Sequence, residues 1–184
     1  MISRDEAVSL LEEKIENVNL RRHMLATESI MRSLASRLGR DADLWGLTGL
    51  LHDIDLEEVD QDPKRHAAVG AEWLSGKLPG EAVSAVRAHN GEMLGIERST
   101  ELDHALAASE TLTGLVVAAT LVLPSKKLSD LKSKSVRKRK KEPRFAAGVN
   151  REVIKECEKI GIEVPELIEL GVEAMRGIGP DLGM

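Results

Sequence analysis

Tyrosine is absent from this chain of 184 residues, and its only aromatics are Trp45, Trp73 and Phe145. Strands and sandwich cores lean on aromatic and β-branched side chains, so the composition argues against a sheet-rich fold. The core has to be built from Leu, Ala, Val, Ile and Met, the palette of packed helices. Cysteine is nearly absent too. Cys157 stands alone, so no internal disulfide can form and a reducing cytoplasm is the expected setting. Lying in a Lys/Glu-rich segment with no histidine near it in sequence, Cys157 reads as a packing residue rather than a nucleophile. Long apolar runs are also missing. The longest, Leu115 to Leu123, spans nine residues with Thr120 inside it, against roughly 18 for a membrane span. The opening residues Met1-Ile2-Ser3-Arg4-Asp5-Glu6 turn acidic with no apolar segment, so neither a membrane partner nor export is expected.

What is present is helical signal along nearly the whole length. Ser3 and Glu6 have the spacing of a capping box ahead of Val8, Leu11 and Ile15, predicting a helix over about 4–17. Leu20, Met24, Ile30, Leu34 and Leu38 mark a longer one from Asn19 that Gly39 ends. Asp41 or Asp43 starts a third, through Leu51. Asp62-Pro63, a cap followed by proline at the first helical position, predicts a fourth to about Leu78. A fifth is expected from Glu81 to Asn90. Thr100 and Asp103 open a sixth that ends before Pro124. Two more are expected over Asn150–Gly161 and Pro165–Arg176. No half-buried strand pattern and no internal repeat appears, so the predicted class is all-α.

The polar residues that interrupt the apolar pattern carry the chemistry. His52-Asp53 follows the apolar turn Gly49-Leu50-Leu51, which would take an imidazole and a carboxylate inside together. A buried carboxylate is costly unless it is paired or holds a metal. His23 lies in the second predicted helix, His66 one turn into the fourth and His89 at the end of the fifth. Each ligand would come from a different element, as bundles build metal sites. Adjacent helical residues point about 100° apart, so His52 and Asp53 can share one ion only near a helix end. His104 falls outside the pattern and is expected on a helix surface. Arg21 and Arg22 precede His23, and Lys64 and Arg65 precede His66; such cations could hold substrate phosphate or be ordinary surface charges.

In these residues the chain resembles the HD-domain metal-dependent phosphohydrolases: His23, the pair His52-Asp53, and the two later histidines His66 and His89. The runs Gly49-Leu50-Leu51-His52-Asp53-Ile54-Asp55 and His66-Ala67-Ala68-Val69-Gly70-Ala71 are similar to members labelled HDIG. The likeness covers about residues 20–120. It implies an all-α HD bundle forming one domain over 1–184, with the basic segment 124–149 and helices 150–177 appended. It also implies a divalent ion (Mn, Fe, Co, Ni, Mg or Zn) on His23, His52, Asp53 and a last carboxylate, with Asp53 central to catalysis. The family's final Asp is replaced here; in Ala107-Ala108-Ser109-Glu110-Thr111-Leu112 only Glu110 offers a carboxylate. Asp55 stands where the label implies Gly, an extra carboxylate expected near the mouth of the site. His66 and His89 would hold a second metal or bind phosphate, with Arg22, Lys64 and Arg65 as substrate cations. The implied activity is hydrolysis of a phosphomonoester or phosphoanhydride, with a nucleotide the favoured substrate. An inactive metal- or nucleotide-binding module of the same fold, or a nucleic-acid-associated helical protein, is the alternative.

The net charge of -5 is uneven. Lys126 to Arg144 carries ten basic residues against Asp130 and Glu142, or +8, leaving -13 on the rest. Such a run is a solvated or mobile segment, a phosphate-gathering lid, or a nucleic-acid contact, for which Phe145 is the only ring available to stack.

Overall fold

A computed structural model describes all of residues 1–184; it is helical throughout and has no strand. In chain order the helices are α1 (Arg4–Lys14), α2 (Val18–Leu38), α3 (Ala42–Leu51), α4 (Ala68–Leu74), α5 (Gly80–His89), α6 (Gly91–Leu94), α7 (Glu101–Leu121), α8 (Ser133–Lys140), α9 (Arg151–Ile154), α10 (Val164–Gly177) and α11 (Gly179–Leu182). Local chemistry sets the early boundaries. The Ser3–Glu6 capping box forms, Asn17 and Asp41 cap α2 and α3 through their side-chain oxygens, and Gly39 takes φ 67° to end α2. The Thr100–Asp103 box opens α7. Each cap satisfies amide donors that the first turn leaves unpaired.

The two 21-residue helices α2 and α7 form the centre. α2 packs against α3, α7 and α10, while α5 and the 3-10 turn Lys155–Ile160 pack on α7. One hydrophobic core of 41 buried residues runs from Ala7 to Leu182 and includes Cys157. α7 is long and apolar enough to cross a membrane by length and composition, but 72% of its most apolar window is buried inside the protein. That burial is what a central core helix requires.

The fourth helix departs from its predicted span. Asp62 caps only one turn, its side chain accepting from the Lys64 amide at 3.0 Å and its carbonyl from His66 at 2.9 Å. Ala67 then takes φ 69°, and α4 begins at Ala68. Tertiary bonds override the local signal here. Buried Asp55 takes the Gly70 amide at 2.7 Å, and Asn90 Nδ2 donates to the carbonyls of Pro63 (2.8 Å) and His66 (3.0 Å). His66 therefore sits on a loop rather than in a helix.

The basic segment is docked on the core and contains one helix, α8, rather than trailing as a solvated or mobile run. Leu128, Leu131 and Val136 are buried. The Arg151 guanidinium ties the following turns by donating to the carbonyls of Lys140 (3.0 Å), Glu142 (3.0 Å), Phe145, Ala146 (3.4 Å) and Val149 (2.9 Å). The compact helix expected over 150–161 is short α9 followed by a 3-10 turn.

Candidate metal centre

α3 ends where the apolar turn ends. Its backbone leaves the helix at His52, and residues 52–61 form successive turns, which lets neighbouring His52 and Asp53 face one point. Gly49 sets the distance to α2. A Cβ there would lie 3.1 Å from the Thr27 backbone and 2.9 Å from Met31 Cγ. That close approach, one turn before His52 and one turn after His23, brings their Nε2 atoms to 3.2 Å. On the other flank Asn90 holds the His66 loop against the end of α5, and His66 Nε2 lies 3.0 Å from His89 Nε2.

Asp53 lies between the two pairs. Its Oδ2 is 3.3 Å from His52 Nε2 and 3.6 Å from His23 Nε2. Its Oδ1 is 3.3 Å from both His66 Nε2 and His89 Nε2. Two potential ligand clusters result, His23–His52–Asp53 and Asp53–His66–His89, with Asp53 in both.

The partners of the opposite ring nitrogens fix the tautomers. A carbonyl only accepts, so the Nδ1–H of His52 donates to Gly49 O (2.8 Å) and that of His89 to Val86 O. The Nδ1–H of His66 donates to Asp55 Oδ1 at 2.9 Å. The Thr113 hydroxyl gives its hydrogen to the Glu110 carbonyl at 2.6 Å and so accepts from His23 Nδ1–H at 2.7 Å. Each neutral imidazole then presents a bare Nε2 lone pair toward the others and toward a carboxylate. Such an arrangement repels itself unless a metal ion, or protons on some of the rings, lies between the donors. The spacing fits one: donors about 2.1 Å from a shared ion and 90–110° apart are about 3.0–3.4 Å from each other. Outer partners that fix the tautomer are what metal-ligating histidines require.

Protonation follows the same geometry. Burial opposes charge on His66, but hydrogen bonds to Asp53 and Asp55 outweigh it and raise the ring to about 9. Burial, reinforced by the charge on His52, lowers His23 to about 4. Burial opposes ionisation of Asp53, yet the charge on His52 and three imidazole hydrogen bonds hold its carboxyl well below the usual range. Glu110 is raised to about 7 by burial. Its carboxylate accepts from the Thr111 hydroxyl at 2.5 Å, and it belongs to neither cluster. It does line, with His23 and His89, a cleft of about 430 Å³.

A family model described as HD domain matches residues 20–121. The chain belongs to the HD-domain family. The match takes in every residue of both clusters and Glu110. Comparison with the curated proteins and with the solved structures finds no match.

Within this HD domain the other expected residues are placed variously. Asp55 is fully buried, not at the mouth; it orients His66 and caps α4. A Cβ at Gly70 would sit 3.2 Å from its Cγ, which accounts for glycine there. Lys64 and Arg65 are exposed and line neither the cleft nor the cavity beside His23. Arg21 is structural, donating to Ile15 O and Glu12 O at 2.5 and 2.9 Å. Arg22 lines the second cavity with His23. His104 is buried rather than on a surface, with Nδ1 2.5 Å from Glu156; it ties α7 to the C-terminal segment. Thr113 and Arg98 were not singled out from the sequence. Arg98 lines the cleft, donates to His89 O at 2.7 Å and pairs with Glu92 at 2.6 Å. Only the i, i+3 step from Glu110 to Thr113 could have pointed to Thr113, and nothing local marks Arg98. Cys157 is buried, which raises its thiol to about 12 and removes it as a nucleophile at neutral pH.

Proposed function

We propose that this HD domain is a metal-dependent phosphohydrolase that cleaves a phosphomonoester or phosphoanhydride, with a nucleotide as the favoured substrate. One observation carries the reading: four imidazoles, each tied at Nδ1, turn their Nε2 atoms onto the two oxygens of one carboxylate. His23, His52 and Asp53 would hold a first divalent ion, with Glu110 as its further carboxylate, and Asp53, His66 and His89 a second. Bound there, such ions lower the pKa of water and offset charge on phosphoryl oxygens.

The chain's own residues supply the rest. Asp53 fixes the separation of the two clusters by serving both. Thr113, Gly49, Asp55 and Val86 keep each ring in the ligating tautomer. Burial raises the Glu110 carboxyl to about 7 and so disfavours its anion until a cation stands beside it, which suits a carboxylate awaiting one. Arg22 and Arg98, at the walls of the cavities next to His23, would draw a phosphate into them. In the reaction the oxygen of water bonds to phosphorus as the P–O bond to the leaving group breaks. One water proton goes to the leaving oxygen.

The test is metal analysis of the purified protein, followed by phosphate release from nucleotides and simple phosphoesters with Mn, Co, Ni, Mg or Zn. Asp53→Ala is expected to lose bound metal and at least about 100-fold in activity, since it removes the one charged group shared by both clusters. Full metal content in Asp53→Ala overturns the ligand assignment. Stoichiometric metal with no phosphate released from any substrate overturns the enzyme reading in favour of a binding module.

A further inference from the structure

Between α2 and α7 lies a second cavity of about 520 Å³, and His23 and Gly114 line both it and the cleft at the histidine cluster. Its walls combine two chemistries. Ala26, Val117, Leu121 and Leu182 are apolar; Arg22 and Lys126 are cationic; no side-chain carboxylate lines it. Neither cation is in an ion pair. On a protein of net charge -5, a cavity with two cations and no side-chain carboxylate favours anions.

Two backbone features mark its walls. Lys126 holds φ 53°, a left-handed conformation that costs a non-glycine residue about 1 kcal/mol and persists only where the surroundings impose it. Gly114 lies inside α7, where glycine costs about 1 kcal/mol relative to alanine. It is exposed, and a Cβ there would meet only Val149 Cγ2, at 3.3 Å. That contact is tight, so packing against Val149 favours glycine there. Gly114 also lies, with His23, on the wall common to the two cavities.

We propose that this cavity receives the leaving-group side of a phosphate ester whose phosphoryl group lies at the histidine cluster, and that the leaving group is an apolar body bearing one further anionic substituent held by Arg22 and Lys126. The volume lies in the range of small-molecule pockets, and inorganic phosphate alone would leave the apolar walls without contacts. The assignment rests on the phosphohydrolase reading for the reaction, though not for binding. Hydrolysis breaks the P–O bond, passes one water proton to the leaving oxygen and yields orthophosphate and the anionic alcohol. That alcohol is then the ligand the cavity holds by itself.

Binding and turnover are tested separately on the full chain. The probes are hydroxynaphthoate, which has an apolar body and a carboxylate, and naphthol, which lacks the charge; their phosphate esters serve as substrates. Calorimetry is expected to show hydroxynaphthoate binding about tenfold more tightly than naphthol, falling to within about twofold in Arg22→Gln or Lys126→Gln, the loss of one charge-assisted contact. Val117→Trp fills the cavity and is expected to weaken both probes, with circular dichroism checking that each variant folds. Among the esters, Arg22→Gln is expected to erase the preference for the carboxylated one through KM rather than kcat. Equal binding of the two alcohols, or an unchanged preference in both charge variants, overturns the proposal. Alcohol binding as expected, with neither these esters nor any nucleotide or simple phosphoester hydrolysed under any divalent ion, overturns the phosphohydrolase reading and leaves the cavity standing as a site for the anionic alcohol. Hydrolysis with no alcohol binding does the reverse.

Discussion

His66 shows how much one side chain is asked to do. Asp55 fixes its Nδ1, His89 and Asp53 face its Nε2, and the ring is raised to about 9. Below that pH the metal-free ring carries a proton where a ligating lone pair is needed. An ion at Asp53–His66–His89 must displace it, so affinity there rises with pH and levels off above about 9. Calorimetry in buffers of different ionisation enthalpy is expected to find about one proton released per ion at this cluster between pH 7 and 8, and none above about pH 10. His23, lowered to about 4, adds nothing to that release. The sequence made the four clustered histidines and Asp53 legible because burying such groups together needs a reason. It did not reveal Asp55 as the partner of His66, since that pairing arises from a loop path with no local signature.

At the scale of elements, the site depends on how closely α3 can lie on α2. Gly49 has no room for a Cβ against the Thr27 backbone, and backbone yields less readily than a side chain. Gly49→Ala is expected to cost about 1–3 kcal/mol in denaturant unfolding, as overpacking does. It should also lower metal content, because any outward shift of α3 separates His52 from His23. Native metal content in a destabilised Gly49→Ala would show that the approach serves packing alone. The helix-four region is the converse lesson. Asp62-Pro63 is a sound local start signal and does cap a turn, yet bonds from Asp55 and Asn90 hold residues 63–67 as a loop. A propensity worth tenths of a kcal/mol per residue yields to several buried hydrogen bonds at about 1 kcal/mol each.

Across the whole molecule, the basic segment is tied to the rest rather than trailing from it. Gly148, Val149 and Asn150 line the cleft with His23 and His89, while Lys126 lines the second cavity. The start of the +8 stretch and the turn that follows its last arginine therefore flank the two cavities. Arg151, bonded to five carbonyls, holds the turns between α8 and α9 in place. Arg151→Ala is expected to cost about 2 kcal/mol, the scale of lost bonds to a charged group. Hydrogen exchange should localise the loss of protection to residues 140–150 while α2 and α7 stay protected. A uniform loss over all helices would mean that Arg151 supports the core instead.

The sequence by itself determined the helical class, most helix boundaries with a cap or a glycine stop, and the identity of the four histidines and Asp53 that the fold brings together. These are written in composition, periodicity and residue types that are costly to bury without a purpose. Only the tertiary structure decided that Asp53 serves two histidine pairs, that each ring is locked by a different outer partner, and that His104 and Asp55 are buried. It alone seated the basic segment beside the cleft. These outcomes join residues far apart in the chain, and each depends on which backbone carbonyl, amide or carboxylate the fold brings within about 3 Å of another.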